Sequence, residues 1–166
     1  MGGRVSHNHH PMIKRILLKI WRILPLWLQM VLSRVIRPLF QVFAAAVIFD
    51  EDKNILLVKS TYQRFHPWGL PGGSLEYGEH PEEAVIREVW EETALTVCVE
   101  KLLLINSWVP DRVGMYYLCR ITGGTFYPSD EVSEFAYFSL DNLPDLHSID
   151  RDLIKRLHKL VEHELA

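Results

Sequence analysis

Three glutamates near the middle of the chain, Glu88, Glu91 and Glu92, have a spacing that brings their side chains together on a helix. Offsets of three and four residues lie on one face of an α-helix. Like charges at that spacing repel each other by about 0.2–0.5 kcal/mol per pair, so the cluster brings no structural gain by itself. Carboxylate oxygens suit Mg²⁺ or Mn²⁺, and these ions also bind phosphate oxygens. The spacing therefore predicts metal-assisted chemistry on a phosphate-containing substrate.

The residues around these glutamates predict where the helix begins and what precedes it. Residues 68–73 read WGLPGG, a glycine-paired turn in which the backbone can approach a ligand closely. His80 is a suitable N-cap and Pro81 suits the first helical position, so the helix is predicted to begin there. Apolar pairs four residues apart are predicted to bury one side of the helix. These pairs are Val85 with Val89 and Ile86 with Trp90.

Residues 73–95, GSLEYGEHPEEAVIREVWEETAL, resemble the Nudix box of the Nudix (MutT-like) hydrolases. That box runs glycine, five residues, glutamate, seven residues, Arg-Glu, an aliphatic residue, any residue, Glu-Glu, any residue, glycine and an aliphatic residue. The spacing matches throughout, and the residue types agree at every specified position except one. Ala94 stands where the family has glycine. We expect this position to be a left-handed helix end that costs a non-glycine residue about 1 kcal/mol.

The resemblance implies a Mg²⁺-dependent hydrolase of phosphoric anhydride bonds, with Mn²⁺ as the alternative cation. It implies that Glu88, Glu91 and Glu92 bind the metal and that the carbonyl oxygen of Gly72 adds a ligand. Arg87 lies beside the cluster and is expected to orient a carboxylate through a bidentate contact rather than to react.

The general base that activates the attacking water has several candidates. Glu88 is one of them, and members of the family often take the base from a later loop instead. The acidic residues of such a loop are Asp130, Glu131 and Glu134, of which Glu131 is favoured. Glu79, the isolated glutamate of the box, is expected to brace the loop.

Residues outside the box carry the prediction about the substrate. Arg64 lies between the second strand and the glycine turn and could contact a phosphate, while Gly72 and Gly73 are assigned to substrate binding. Pro110 follows Leu95 by 15 residues, an offset that resembles a proline of family members acting on ADP-ribose. The predicted substrate is a nucleoside diphosphate linked to another moiety, with ADP-ribose or another nucleotide sugar as examples.

Two alternatives stay open beside this function. One is a Nudix-fold nucleotide-binding or regulatory module without turnover, although retention of every box carboxylate favours turnover. The other is a pyrophosphohydrolase acting on nucleoside triphosphates or on RNA 5′ ends. DNA is not an expected partner. His66 and His147 are interpreted as polar loop residues.

The remaining pattern predicts an α/β domain at residues 41–166. Apolar runs rich in β-branched and aromatic residues predict strands at residues 41–49, 55–59, 96–108, 113–121 and 134–140. Gly123 and Gly124 are interpreted as a turn, and a final helix is predicted from Ser148. The resemblance implies an α/β/α sandwich with a mixed β-sheet, in which the box forms a loop–helix–loop.

The first 40 residues, called the leader below, differ from the rest in charge. Residues 1–49 contain seven Lys or Arg and no Asp or Glu, although the whole chain has a formal charge of −3. Basic and apolar residues alternate at helical spacing, which predicts a basic amphipathic extension broken at Pro25. Its uncharged stretch, residues 23–33, has 11 residues, whereas a membrane-spanning helix needs about 20. The open roles are packing on the domain, homodimer contact and peripheral membrane contact through residues 12–36.

Cysteine usage bears on the compartment of the protein. The chain has two cysteines, Cys98 and Cys119, without metal or redox spacing. Reduced thiols are typical of cytoplasmic proteins, so a cytoplasmic location is predicted. Membrane contact by the leader would make the protein peripherally membrane-associated as well.

Overall fold

The computed structural model describes residues 11–36, 40–107 and 111–165. Its elements, in chain order, are α1 (Pro11–Ile23), α2 (Leu26–Ile36), β1 (Gln41–Val47), β2 (Ile55–Ser60), β3 (Trp68–Gly69), β4 (Gly72–Ser74), α3 (Pro81–Thr93), β5 (Leu95–Asn106), β6 (Arg112–Gly124), β7 (Val132–Phe138), a 3-10 turn (Leu140–Asn142) and α4 (Ser148–Leu165). Pro110 lies outside the described residues, so its prediction stays untested.

The strands form two sheets. The larger one has the order β4-β1-β6-β5, in which β1 and β6 run parallel and the other pairs run antiparallel. The smaller one has the order β3-β2-β7 and is antiparallel throughout. The mixed sheet and the helices confirm the predicted α/β class.

Each face of β1 packs against a different helix. Ala44 and Ala46 join a buried apolar cluster that contains Val85 and Val89 of α3. Ala45 and Val47, which alternate with them, join a second cluster with Leu153, Ile154 and Leu157 of α4. Because successive side chains of a strand point to opposite faces, one central strand separates the two helical layers. This layering holds α3 and its glutamates against the sheet.

Three details of the fold differ from the sequence predictions. The sequence predicts a turn at residues 68–73, but most of them belong to the short strands β3 and β4, which pair with β2 and β1. Val85 and Val89 are buried, but Ile86 and Trp90 are 39% and 60% exposed, so only one of the two apolar pairs covers the sheet. The second pair lies about 100° further around the helix, beyond the surface of α3 that packs against the sheet. Gly123 and Gly124 do not form a turn, because they extend β6 opposite the first residues of β5.

The leader helices form a compact unit of their own, and the boundary between the two units falls between residues 39 and 40. As predicted, the helix is broken at Pro25, and α2 begins directly after it. The side chain of Gln29 donates hydrogen bonds to the carbonyl oxygens of Trp21 (3.1 Å) and Leu24 (2.9 Å), which satisfies carbonyls at the end of α1. Among the described helices, none has the length and apolar character needed to cross a membrane.

Candidate active site

The ends of α3 are set by local contacts. Pro81 is its first residue, and the backbone N–H of His80 donates to Glu83 Oε2 over 3.1 Å, as in a capping box. At the other end Ala94 has φ 57° and ψ 18°, and its N–H donates to the carbonyl of Trp90 over 2.8 Å. The left-handed conformation expected where the family has glycine is therefore adopted by alanine, at the steric cost that a Cβ brings there.

Arg87 is the centre of the hydrogen-bonded network of the box. Its Nε and Nη2 donate to the two carboxylate oxygens of Glu79 over 2.8 and 3.0 Å. Its Nη1 donates to Glu88 Oε1 (2.9 Å) and Glu91 Oε2 (3.0 Å), and Nη2 also reaches the Ser74 carbonyl (3.1 Å). These hydrogen bonds lower the pKa of Glu79 to about 2. The bidentate partner of Arg87 is thus Glu79, and this ion pair connects the loop between β4 and α3 to the helix.

Two glycines allow β4 to lie directly against the carboxylates. The backbone N–H of Gly72 donates to Glu92 Oε2 over 3.0 Å. A Cβ at position 73 would lie 2.3 Å from Glu88 Oε1, and a Cβ at position 72 would lie 2.3 Å from the Ala44 carbonyl. No side chain fits at either position without a shift, so glycine at both positions permits this close approach.

The electrostatics of the cluster favour a bound cation. Burial raises the pKa of Glu92 to about 8, and it also raises the pKa of Glu88. The negative charge of Glu131 adds to both shifts. No group of three or more His, Cys, Asp or Glu side chains is already arranged around a metal position within residues 11–36, 40–107 and 111–165. The donors are nevertheless carboxylate oxygens crowded beside a glycine cradle, which fits Mg²⁺ or Mn²⁺.

The later loop contributes Glu131 to this region. Glu131, Glu92 and Gly72 line the same cavity of about 160 Å³, together with Tyr62 and Trp68. Of the other two base candidates, Glu134 lies in β7 rather than in the loop, and it forms an ion pair with Lys59 of β2. The carbonyl of Asp130 accepts a hydrogen bond from the hydroxyl of Thr61.

Arg64 lies apart from these residues. It is exposed in the loop between β2 and β3 and lines neither this cavity nor the larger one described next. Its assignment as a phosphate contact stays a prediction.

A second, larger cavity of about 420 Å³ adjoins the first. The two share Leu70, Gly72 and Asp150 as lining residues. The larger cavity is also lined by Arg112 and by His147, which lies in the loop directly before α4, as expected of a polar loop residue. Burial raises the pKa of the Asp150 carboxyl group.

Sequence reasoning missed Arg112 and Asp150. Arg112 is the first residue of β6, and Asp150 lies in the first turn of α4, so the two are distant along the chain. Neither has a motif around it, and only the packing of α4 beside β1 and β6 brings them to one cavity. His66 is close to this group, since its Nδ1 lies 2.8 Å from Asp145 Oδ1 and its ring lies 5.8 Å from that of His147.

Comparison with known proteins agrees with this geometry. The family model of the NUDIX domain matches residues 39–157. An ADP-ribose pyrophosphatase of Methanocaldococcus jannaschii is 37% identical in an alignment 115 residues long, which covers 65% of this chain and 68% of that protein. A NAD-capped RNA hydrolase, NudC, of Vibrio atlanticus is 33% identical in an alignment 114 residues long, which covers 66% of this chain and 42% of the relative.

Solved structures agree as well. The crystal structure of an ADP-ribose pyrophosphatase from Streptococcus suis superposes with a TM-score of 0.63 at 31% sequence identity, covering 78% of this chain and 94% of the other. A fold with α3 and α4 on opposite sides of a mixed sheet, and a box of carboxylates on α3, thus defines the class. The chain belongs to the Nudix family. It is a Nudix hydrolase, an enzyme that acts on phosphoric anhydride bonds of nucleotide-type substrates.

Proposed function

We propose that the protein hydrolyses the diphosphate linkage of a nucleoside diphosphate joined to another moiety, that ADP-ribose or another nucleotide sugar is the substrate, and that Mg²⁺ is the cofactor. The observation that carries this proposal is the pair of cavities that meet at Gly72. The names of the relatives from Methanocaldococcus jannaschii and Streptococcus suis, both ADP-ribose pyrophosphatases, support it.

The shape of the paired cavities favours a substrate with a bulky group on each side of its diphosphate. With the diphosphate beside Gly72, one group would enter the cavity of about 420 Å³ and the other the cavity of about 160 Å³. Arg112 and His147 line the larger cavity and offer hydrogen-bond donors for a nucleoside or a sugar. A nucleoside triphosphate has a single bulky group and would use only one of the two cavities.

The carboxylates of α3 would hold the metal. We assign Glu88, Glu91 and Glu92 as its ligands together with the Gly72 carbonyl oxygen. A divalent cation bound there neutralises the charge of the diphosphate and of its leaving oxygen. Arg87 positions two of these ligands, because its Nη1 donates to both Glu88 and Glu91.

Glu131 is the proposed general base. It shares the smaller cavity with Glu92, and its exposed side chain leaves room for a water. The carboxylate would accept a proton from that water while the oxygen attacks one phosphorus. The bond from that phosphorus to the bridging oxygen breaks, and the bridging oxygen leaves with the second phosphate. ADP-ribose would give AMP and ribose 5-phosphate. Glu88 is the alternative base.

A panel of substrates tests the proposal. The full chain is incubated with ADP-ribose, UDP-sugars, NAD and ATP in the presence of Mg²⁺, and the products are separated by chromatography. We expect the highest kcat/KM for a diphosphate with two bulky groups and release of a nucleoside monophosphate. Fastest turnover on ATP with release of inorganic pyrophosphate would contradict it.

NAD in this panel also addresses a second candidate function. NAD-capped RNA carries two nucleosides on one diphosphate, and a NAD-capped RNA hydrolase is among the relatives. The match spans less than half of that relative, so this function rests on the shared domain alone. Cleavage of NAD-capped RNA at a higher kcat/KM than that of ADP-ribose would favour it.

A further inference from the structure

One face of helix α1 carries a row of cations. Arg15, Lys19 and Arg22 are exposed and follow each other at spacings of four and three residues. That spacing places their charges on one side of the helix. No acidic residue lies in the first turn of α1 or of α2 to neutralise them. The row is therefore a positively charged strip about 10 Å long, at a rise of about 1.5 Å per residue.

A row of isoleucines lies beside the cations at the same spacing. Ile16, Ile20 and Ile23 are 54%, 47% and 82% exposed. Leu26 and Trp27 at the start of α2 are exposed as well. Burial of such side chains in an apolar environment is favourable, so contact with an apolar partner would stabilise this surface.

We propose that α1 and the start of α2 bind the surface of a lipid bilayer that contains anionic headgroups. An interfacial helix needs a strip of cations for the headgroups and an adjoining apolar strip that enters the acyl boundary. The two rows of α1 have this arrangement, and tryptophan is typical of the membrane interface. The helix would lie along the surface, because its 13 residues are too few to span a hydrocarbon core of about 30 Å.

The paired rows favour a bilayer over a polyanion such as RNA. RNA would satisfy Arg15, Lys19 and Arg22, but its phosphates offer nothing for three exposed isoleucines. A second copy of the chain could cover the isoleucines instead, and this outcome is distinguishable from membrane binding by the state of the protein in solution.

Vesicle flotation with the full chain tests the proposal. Neutral phosphatidylcholine vesicles are compared with vesicles that contain about 30% anionic phosphatidylglycerol, a lipid mixture that attracts basic segments. We expect binding to the anionic vesicles, and about a hundredfold weaker binding for the triple variant Arg15→Gln, Lys19→Gln, Arg22→Gln, from about 1 kcal/mol per cation.

The matched control removes three exposed lysines from residues 40–166. The variant Lys53→Gln, Lys155→Gln, Lys159→Gln changes the net charge equally and is expected to bind as the wild type does. Equal losses in the two variants would overturn the proposal, because binding would then follow net charge alone.

A second variant distinguishes insertion into a lipid bilayer from binding by charge alone and from contact with a second copy of the chain. Ile16→Ala, Ile20→Ala, Ile23→Ala keeps the charge, favours the helix and removes the row of isoleucines beside the cations. We expect flotation to fall at least tenfold, with an unchanged circular dichroism spectrum. Flotation that is unchanged in this variant would show that the cations bind headgroups without insertion of the apolar row, and it would overturn the proposal. So would a wild-type dimer in light scattering that fails to float and becomes monomeric in this variant.

Discussion

The half-buried carboxyl group of Glu92 makes the stability of the metal-free protein depend on pH. Its pKa is about 8 in the folded protein against an ordinary value of 4.5, chiefly because of burial. The folded state therefore binds this proton more tightly than the unfolded state does. The resulting stabilisation is complete below about pH 4.5 and is lost as the pH rises through about 8. At about 1.4 kcal/mol per pH unit, the loss has an upper limit of about 4–5 kcal/mol.

The substitution Glu92→Gln isolates this contribution, because the amide oxygen of glutamine can still accept the hydrogen bond from the Gly72 N–H. Urea unfolding in the presence of EDTA would be measured from pH 5 to pH 9 for the wild type, for this variant and for Glu51→Gln, which removes an exposed loop carboxylate. We expect the wild type and Glu51→Gln to lose stability at high pH, and the loss to be smaller in Glu92→Gln. Addition of Mg²⁺ at high pH should restore stability to the wild type by binding the folded state. Parallel curves for all three proteins would refute the reasoning.

Three further substitutions have expected effects that follow from the geometry. Ala94→Gly should raise the melting temperature by about 2–4 °C in calorimetry, because glycine adopts the left-handed conformation with a gain of about 1 kcal/mol. Arg87→Lys should lower kcat/KM for ADP-ribose by about 10–100-fold, since lysine cannot form the bidentate contact with Glu79 and the hydrogen bonds to the metal ligands together; an unchanged rate would count against the positioning role. Arg112→Gln should raise KM for ADP-ribose about tenfold and leave kcat near its wild-type value, because Arg112 lines the larger cavity away from the box; a loss confined to kcat would be inconsistent with a binding role.

The box could be predicted from sequence because its signals are local. The N-cap at His80, the first helical residue Pro81 and the left-handed end at Ala94 all lie within one segment, and all three have the predicted conformation. The grouping of Glu88, Glu91 and Glu92 on one helix follows from spacing alone. The break of the leader at Pro25 was predictable for the same reason.

What the sequence did not predict depends on contacts between distant segments. The short strands β3 and β4 have glycine-rich sequences typical of turns, and they are strands because they pair with β2 and β1. The exposure of Ile86 and Trp90 depends on where the sheet ends beneath α3. Arg112 and Asp150 share a cavity only because α4 covers one face of the sheet.

The measurement that tests the central claim most directly is the Mg²⁺ dependence of ADP-ribose hydrolysis in the wild type and in Glu91→Gln, with Glu51→Gln as the control. The account predicts that AMP appears with Mg²⁺ and not with EDTA. It also predicts that Glu91→Gln lowers kcat/KM at least about a hundredfold, because charge stabilisation by the cation is worth several kcal/mol. The control should retain wild-type activity, and thermal unfolding should show that both variants are folded. AMP release that continues in EDTA, or that is equal in Glu91→Gln and the wild type, would contradict the account.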